Sequence, residues 1–166
     1  AACGRWLEFK RPRQIIQANT LEEVAAALVT VDTAVSSKGL HVAGFVSYEA
    51  APAFDSSIRA AQGGLVPLLW FGLYEQVHTV ELEPASEADF IPEWVASVSW
   101  DVFRDNTERI KALIRSGDTY QVNYTYRLGA GLAADPWEFF LHLVTAQEPP
   151  YGAFVDTGEW VIGSAS

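Results

Sequence analysis

The chain has 166 residues, 49% of them hydrophobic and 13% aromatic, enough to bury a core, and this excludes an intrinsically disordered polypeptide. Eleven basic residues against 21 acidic ones leave a net charge of -10, which repels phosphate backbones and anionic membranes and excludes nucleic acid as a natural partner. A single cysteine, Cys3, excludes an internal disulfide and a multi-cysteine metal site and fits a reducing, cytoplasmic compartment.

No stretch reaches the roughly 18 apolar residues of a spanning helix, and no signal-peptide-like apolar run follows the first basic residues. The small basic cluster Lys10, Arg11 and Arg13 reads as a solvated surface segment. Thr20-Leu21-Glu22-Glu23 has the form of a capping box, and Leu21, Val24, Ala25, Leu28 and Val31 follow at helical spacing, so a helix is expected over 20–31. Leu40, Val42, Phe45 and Val46 stand in a strand-like context that ends at Ala50-Ala51-Pro52-Ala53. Segments 67–75 and 76–82, with Trp70, Phe71, Tyr74, Val77 and Val80, read as two more strands. Residues 83–99, rich in Glu, Pro, Ser and Ala, read as a surface connection.

A second helix is expected from Ser99 or Asp101 to Ser116, with Phe103, Ile110, Leu113 and Ile114 as its apolar stripe and Gly117 as its left-handed stop. From Thr119 the period changes to two. Tyr120, Val122, Tyr124, Tyr126 and Leu128 fall on one side of an expected strand, and Thr119, Gln121, Asn123, Thr125 and Arg127 on the other. Asp135-Pro136-Trp137-Glu138 is a helix start, with Asp135 as N-cap and Pro136 at the first helical position, and that helix should end near Gln147. Segments 151–156 and 160–166 read as a hairpin joined by Thr157-Gly158-Glu159. The last strand stops without a turn residue, so sequence is expected downstream of Ser166, and the missing initial methionine leaves room for more upstream. Strands with interspersed helices, without regular βαβ alternation, predict a mostly antiparallel α+β fold, its sheets flanked by helices.

Little of the chemistry-bearing inventory points to catalysis. His41, His78 and His142 lie in separate elements without a partner at metal-ligand spacing, so they read as structural or surface histidines. Asp156-Thr157-Gly158 spells the aspartic-protease tripeptide, but it occurs once and in an expected turn, where Asp and Gly serve turn geometry. The serines lack the flanking glycines of a nucleophile elbow. What remains is the row Gln121, Asn123 and Thr125, neutral hydrogen-bonding groups that either face solvent or line a polar ligand cavity.

The run Gly117-Asp118-Thr119-Tyr120-Gln121-Val122-Asn123-Tyr124-Thr125 resembles a conserved segment of the chorismate-utilising enzymes, Gly-Asp-X-aromatic-Gln-Val-Asn-X-Ser/Thr. Glu148-Pro149-Pro150-Tyr151-Gly152-Ala153-Phe154 is similar to that family's Pro-aromatic strand entry, and Val161-Ile162-Gly163-Ser164-Ala165-Ser166 to the strand leading into its Ser-Pro-Glu motif. Gly44-Phe45-Val46-Ser47-Tyr48-Glu49 and Pro67-Leu68-Leu69-Trp70-Phe71-Gly72 look like its amino-terminal glycine-aromatic strands.

Within the family, Gln121-Val122-Asn123 looks like the para-aminobenzoate branch, aminodeoxychorismate synthase component I, with anthranilate synthase component I as the alternative. The resemblance implies the amino-terminal part of the anthranilate synthase component I-like fold, with residues 1–98 as the family's N-terminal region and 99–166 as a truncated start of the chorismate-binding domain. It also implies amination of chorismate to 4-amino-4-deoxychorismate for folate biosynthesis, with Mg²⁺ and with ammonia from a glutamine amidotransferase partner. The family's catalytic lysine and its Ser-Pro-Glu glutamate have no counterpart here, so no catalytic residue is assigned and the chain alone is expected to be inactive. The family's tryptophan pocket would fall on Pro150, Tyr151 and Gly152, although its leucine-leucine-acid-serine half has no counterpart; otherwise these residues only shape a turn. The competing reading, from another functional class, is a non-catalytic domain that binds a ligand or partner.

Overall fold

The computed structural model describes residues 5–61, 64–86 and 92–166; Cys3 lies outside them, as do residues 87–91 of the expected 83–99 connection. In chain order the elements are strands Trp6–Glu8 (β1) and Gln14–Ala18 (β2), helix Leu21–Lys38 (α1), strand His41–Val46 (β3), a short 3-10 helix Tyr48–Ala53, and strands Leu69–Tyr74 (β4), His78–Val80 (β5) and Val95–Ala96 (β6). Helix Trp100–Ser116 (α2), strand Leu128–Gly129 (β7), helix Pro136–Gln147 (α3) and strands Gly152–Asp156 (β8) and Val161–Ala165 (β9) complete them. Every ladder is antiparallel, so the α+β class expected from the sequence is the one observed. The chain divides into two compact units, Ala1–Pro84 with Leu143–Ser166, and Ala85–His142.

In the first unit β4 is the central strand of the order β2-β4-β3, and its sequence Leu-Trp-Phe-Gly-Leu-Tyr is buried at five of six positions. A strand with neighbours on both edges has little water to face, so its apolar run is continuous rather than alternating. Helix α1 packs on this sheet through Val24, Ala27, Val31 and Ala34, which join Ile16, Ala18, Ala50, Leu69 and Leu73 in one core. Each large side chain buried there contributes on the order of 1.5–3 kcal/mol. The helix starts at the expected capping box, where Glu23 accepts from the backbone N–H of Thr20 at 3.1 Å.

Two details of α1 differ from expectation. It runs to Lys38 rather than ending near residue 31, because its core stripe continues through Ala34 and a left-handed residue arrives only at Gly39. Ala25 is exposed, and Ala27 takes the buried place, one helical turn before Val31.

Strands β1 and β2 had no separate signal in the sequence. They run beside β5 and β4 as one interrupted antiparallel pair: five residues separate Glu8 from Gln14, but four separate their partners His78 and Leu73. The extra residue makes a bulge-like interruption in which Arg11 adopts φ 55°. The basic cluster sits there as solvated surface, with Lys10 paired to Glu8 at 2.8 Å and Arg13 to Glu75 at 3.0 Å. Strand β8 pairs with β9 from Gly152↔Ala165 to Asp156↔Val161, as the expected hairpin.

In the second unit α2 begins where Ser99 Oγ accepts from Val102 N–H, and it ends at Gly117, φ 81°, whose N–H reaches the Ile114 carbonyl. Asp135 caps α3, accepting from the Trp137 N–H at 2.9 Å. Phe140 and Leu141 are its buried residues. The segment read as surface connection contributes β6, which pairs with β7.

Candidate functional site

The expected strand over 119–128 is not formed: among the described residues its only ladder is Leu128–Gly129 with Val95–Ala96. The pairing extends by one step, since Ser97 N–H donates to the Arg127 carbonyl at 2.8 Å and Ser97 Oγ accepts from Arg127 N–H at 3.0 Å. It stops there for a geometric reason. The next partner along the same register is residue 98, followed by Ser99, where the backbone turns away into α2. A strand exists only while a neighbour accepts its hydrogen bonds, and the neighbour is used up.

The two-residue alternation survives in part: Tyr124 and Tyr126 turn to α2, whereas Val122, like the polar row, is exposed. On one side Thr119 Oγ1 donates to the Gln121 carbonyl at 3.1 Å, and Gln121 Nε2 donates to Asn123 Oδ1 at 3.2 Å. Gln121, Asn123 and Thr125 are all exposed. On the other side Tyr124 and Tyr126 lie against α2, each ring 5.7 Å from that of Phe103, which itself stacks on Trp100 at 5.6 Å. Asn106 Nδ2 donates to the Tyr124 hydroxyl at 2.8 Å. Tyr120 belongs to the aromatic set in sequence but is 91% exposed.

Asn106 and Ser97 escaped the sequence reading. Asn106 had a signal: it stands three residues after Phe103, a polar group set into an apolar stripe. Ser97 had none, because its role depends on the β6–β7 register. Beyond these contacts, electrostatics in the unit are superficial. On α2, hydrogen bonding and charge attraction from Lys111 hold the Glu108 carboxyl below its ordinary range, with a smaller contribution from Arg115.

Pro150, Tyr151 and Gly152 form the open end of the β8–β9 hairpin. Tyr151 is 82% exposed and exchanges backbone hydrogen bonds with Ser166, at 3.0 and 3.1 Å. The open face of Gly152 is occupied by the Trp6 indole, and a Cβ built on Gly152 would collide with that ring. Two open clefts are one of about 240 Å³ beside Thr20, Glu22 and Glu49, and one of about 300 Å³ between Trp94, Leu128, Leu132 and Phe139. Asp156-Thr157-Gly158 is a turn, with Gly158 at φ 87° and its N–H donating to the Asp156 carboxylate.

Among the described residues no three His, Cys, Asp or Glu side chains converge. No helix among the described residues is long and apolar enough to cross a membrane.

The family model described as chorismate binding enzyme matches residues 4–166. The chain belongs to this chorismate binding enzyme family. Aminodeoxychorismate synthase component 1 of Escherichia coli (strain K12) is 25% identical over 149 residues, which cover 74% of the chain and 33% of that protein. The protein of the same name in Bacillus subtilis (strain 168) is 30% identical over 92 residues, 53% of the chain and 20% of that protein. Anthranilate synthase component 1 1 of Haloarcula marismortui is 41% identical over 54 residues, 32% of the chain and 11% of that protein. The crystal structure of anthranilate synthase component I from Streptococcus pneumoniae TIGR4 shares the fold, with a TM-score of 0.71 at 17% identity, over 100% of this chain and 51% of that one. This member of the chorismate binding enzyme family thus spans about a third of the Escherichia coli relative and half of the solved chain.

Proposed function

We propose that the chain is the amino-terminal part of an aminodeoxychorismate synthase component I, which aminates chorismate to 4-amino-4-deoxychorismate with ammonia delivered by a glutamine amidotransferase. The observation that supports this reading is the reach of the sequence similarity: proteins of that name match up to 74% of the chain in sequence, whereas the anthranilate synthase sequence match covers 32%, the fold being shared with an anthranilate synthase over the whole chain. The exposed row Gln121, Asn123 and Thr125 supports it chemically. Amides and hydroxyls both donate and accept, and they suit a ligand with carboxylate and hydroxyl groups in a chain whose net charge of -10 would repel an anion.

The groups that attack and protonate chorismate, and the carboxylates that hold Mg²⁺, belong in this reading to the part of the enzyme outside residues 1–166. A cytoplasmic, reducing location is part of the same proposal and rests on the lone cysteine. Anthranilate synthase is the second reading, favoured by its 41% local identity.

The test is to incubate the longer polypeptide containing residues 1–166 with chorismate, Mg²⁺ and ammonia and to separate the products. 4-Amino-4-deoxychorismate is the expected product, and the chain of 166 residues alone is expected to yield none. Anthranilate would move the protein to the second reading. Absence of both products from the longer polypeptide would favour a non-catalytic binding domain, and turnover by the 166-residue chain would refute the placement of the catalytic groups.

A further inference from the structure

The apolar stripe of α2 runs through Phe103 and Ile110, and Asn106 stands between them on the same face, at helical spacing from both. Asn106 and its partner Tyr124 are half-buried. A leucine at this position would continue the stripe and favour the helix more than asparagine does. Satisfying the phenol does not call for the amide either, since a half-buried hydroxyl can bond to water. What the amide adds is direction.

The ends of segment 119–126 are fixed through the neighbouring backbone: Asp118 N–H donates to the Leu113 carbonyl at 3.1 Å, and Ser97 N–H to the Arg127 carbonyl at 2.8 Å. Between these points the bonds from Thr119 to Gln121 and from Gln121 to Asn123 run inside the row and cannot set its place on the helix. Tyr124 sets it. Its ring lies 5.7 Å from that of Phe103 at an interplanar angle of 20°, a stacked contact that tolerates sliding. The 2.8 Å bond from Asn106 Nδ2 to the hydroxyl does not, because a hydrogen bond weakens steeply as it bends.

We propose that Asn106 is a positioning residue: through the Tyr124 hydroxyl it fixes how Asn123 and Thr125, on either side of Tyr124, present their side chains to a ligand. With Tyr124 turned onto α2, those two residues are exposed, as successive residues of an extended backbone alternate. Released from Asn106, the ring slides over Phe103 and its two neighbours turn with it. The effect on substrate rests on the chorismate reading of the row, whereas the effect on geometry does not.

A neutral hydrogen bond biases such an equilibrium by at most about tenfold. Its loss lowers the population of the binding-competent arrangement by that factor, and apparent affinity falls in proportion. Bound substrate selects the competent arrangement again. KM for chorismate should therefore rise about 3- to 10-fold while kcat stays close to the parent value.

The test is steady-state kinetics on the longer polypeptide containing residues 1–166, as Asn106→Leu and as Tyr124→Phe, which keeps the ring and removes the hydroxyl. Each variant should show that rise in KM, and the double variant should be no worse than the worse single one, because both break the same bond. Additive losses would overturn the proposal. So would a fall in kcat at unchanged KM, the mark of fewer folded molecules.

A crystal structure of the Asn106→Leu polypeptide gives a readout that needs no turnover. The expected result is a Tyr124 ring shifted along α2, with Asn123 and Thr125 displaced. A row that superimposes on the parent's would overturn the positioning even in an enzyme that aminates chorismate. A displaced row in a polypeptide that leaves chorismate unchanged would uphold it and remove the chorismate reading alone.

Discussion

At Gly152 a missing side chain admits another residue. The Trp6 indole occupies the space a Cβ would need, which ties β1 to the β8–β9 hairpin within one unit. Gly152→Ala should cost about 1–3 kcal/mol, the usual penalty for overpacking, read from the denaturant midpoint. Replacing Trp6 by Leu should remove most of that penalty, so the two substitutions should combine with less loss than their sum. Strict additivity would show that the ring gives way without cost. Tyr74 supplies a second residue-scale prediction. It is 6% exposed, its ring lies 5.3 Å from that of Phe9, and burial pushes its phenol above the ordinary value of about 10. The folded protein therefore holds this proton more tightly than the unfolded chain does. Its contribution is fully present below the unfolded value and is lost as pH rises through the folded one. An alkaline absorbance titration should show one tyrosine ionising later than the rest and stability falling over the same interval; six tyrosines titrating together would refute it.

Helix α2 was readable almost to the residue because both of its ends carry local punctuation. Ser99 accepts from the Val102 N–H at 3.3 Å, and Gly117 takes the left-handed conformation that a side chain resists. Ser99→Ala should cost about 1 kcal/mol, the worth of an N-cap, and Ser99→Asp should restore it by keeping an acceptor at the positive end of the helix. Thermal melts of the three proteins measure this, and an alanine variant as stable as the parent would mean that water satisfies the cap equally well. Helix α1 was legible at its start for the same reason, but its β-branched second half, Val29 to Val35, hid its true length. Strands β1 and β2 were not legible, because a three-residue strand next to a Lys-Arg-Pro-Arg run offers no period to read. In 119–127 the expected period holds at Tyr124 and Tyr126 but not at the exposed Tyr120 and Val122, and the expected ladder is not formed. Alternation records which way side chains turn, and hydrogen bonding depends on a neighbour that no local pattern specifies. The same limit applies to the candidate site. Gln121, Asn123 and Thr125 could be named from their spacing, whereas Asn106 and the covering of Gly152 by Trp6 required the assembled chain.

Among the described residues, burial is concentrated rather than shared. Apart from Phe140 and Leu141, the core assembles around β4 from α1, β2 and the short 3-10 helix, with Ala18, Val24, Ala50 and Leu69 at 0% exposure. Helix α2 has no buried residue at all, and its Trp100, Leu113 and Ile114 are exposed. Local opening costs little where few apolar groups are sealed from water, so protection should follow this distribution and not helix or strand content. In the 166-residue chain the slowest-exchanging amides should lie in β4 and in α1 between Val24 and Ala34. Those of α2 should exchange faster despite its 17 residues and both caps. Leu69→Ala removes a side chain from the sealed centre and should cost about 2–5 kcal/mol, the range for cavities that neighbours fill only partly. If β4 is the keystone of its unit, that substitution should accelerate exchange in β2, β3 and α1 together. Acceleration confined to β4 would mean that α1 is held by its own caps and propensity, and that the three-stranded sheet is a covering for the helix rather than its foundation.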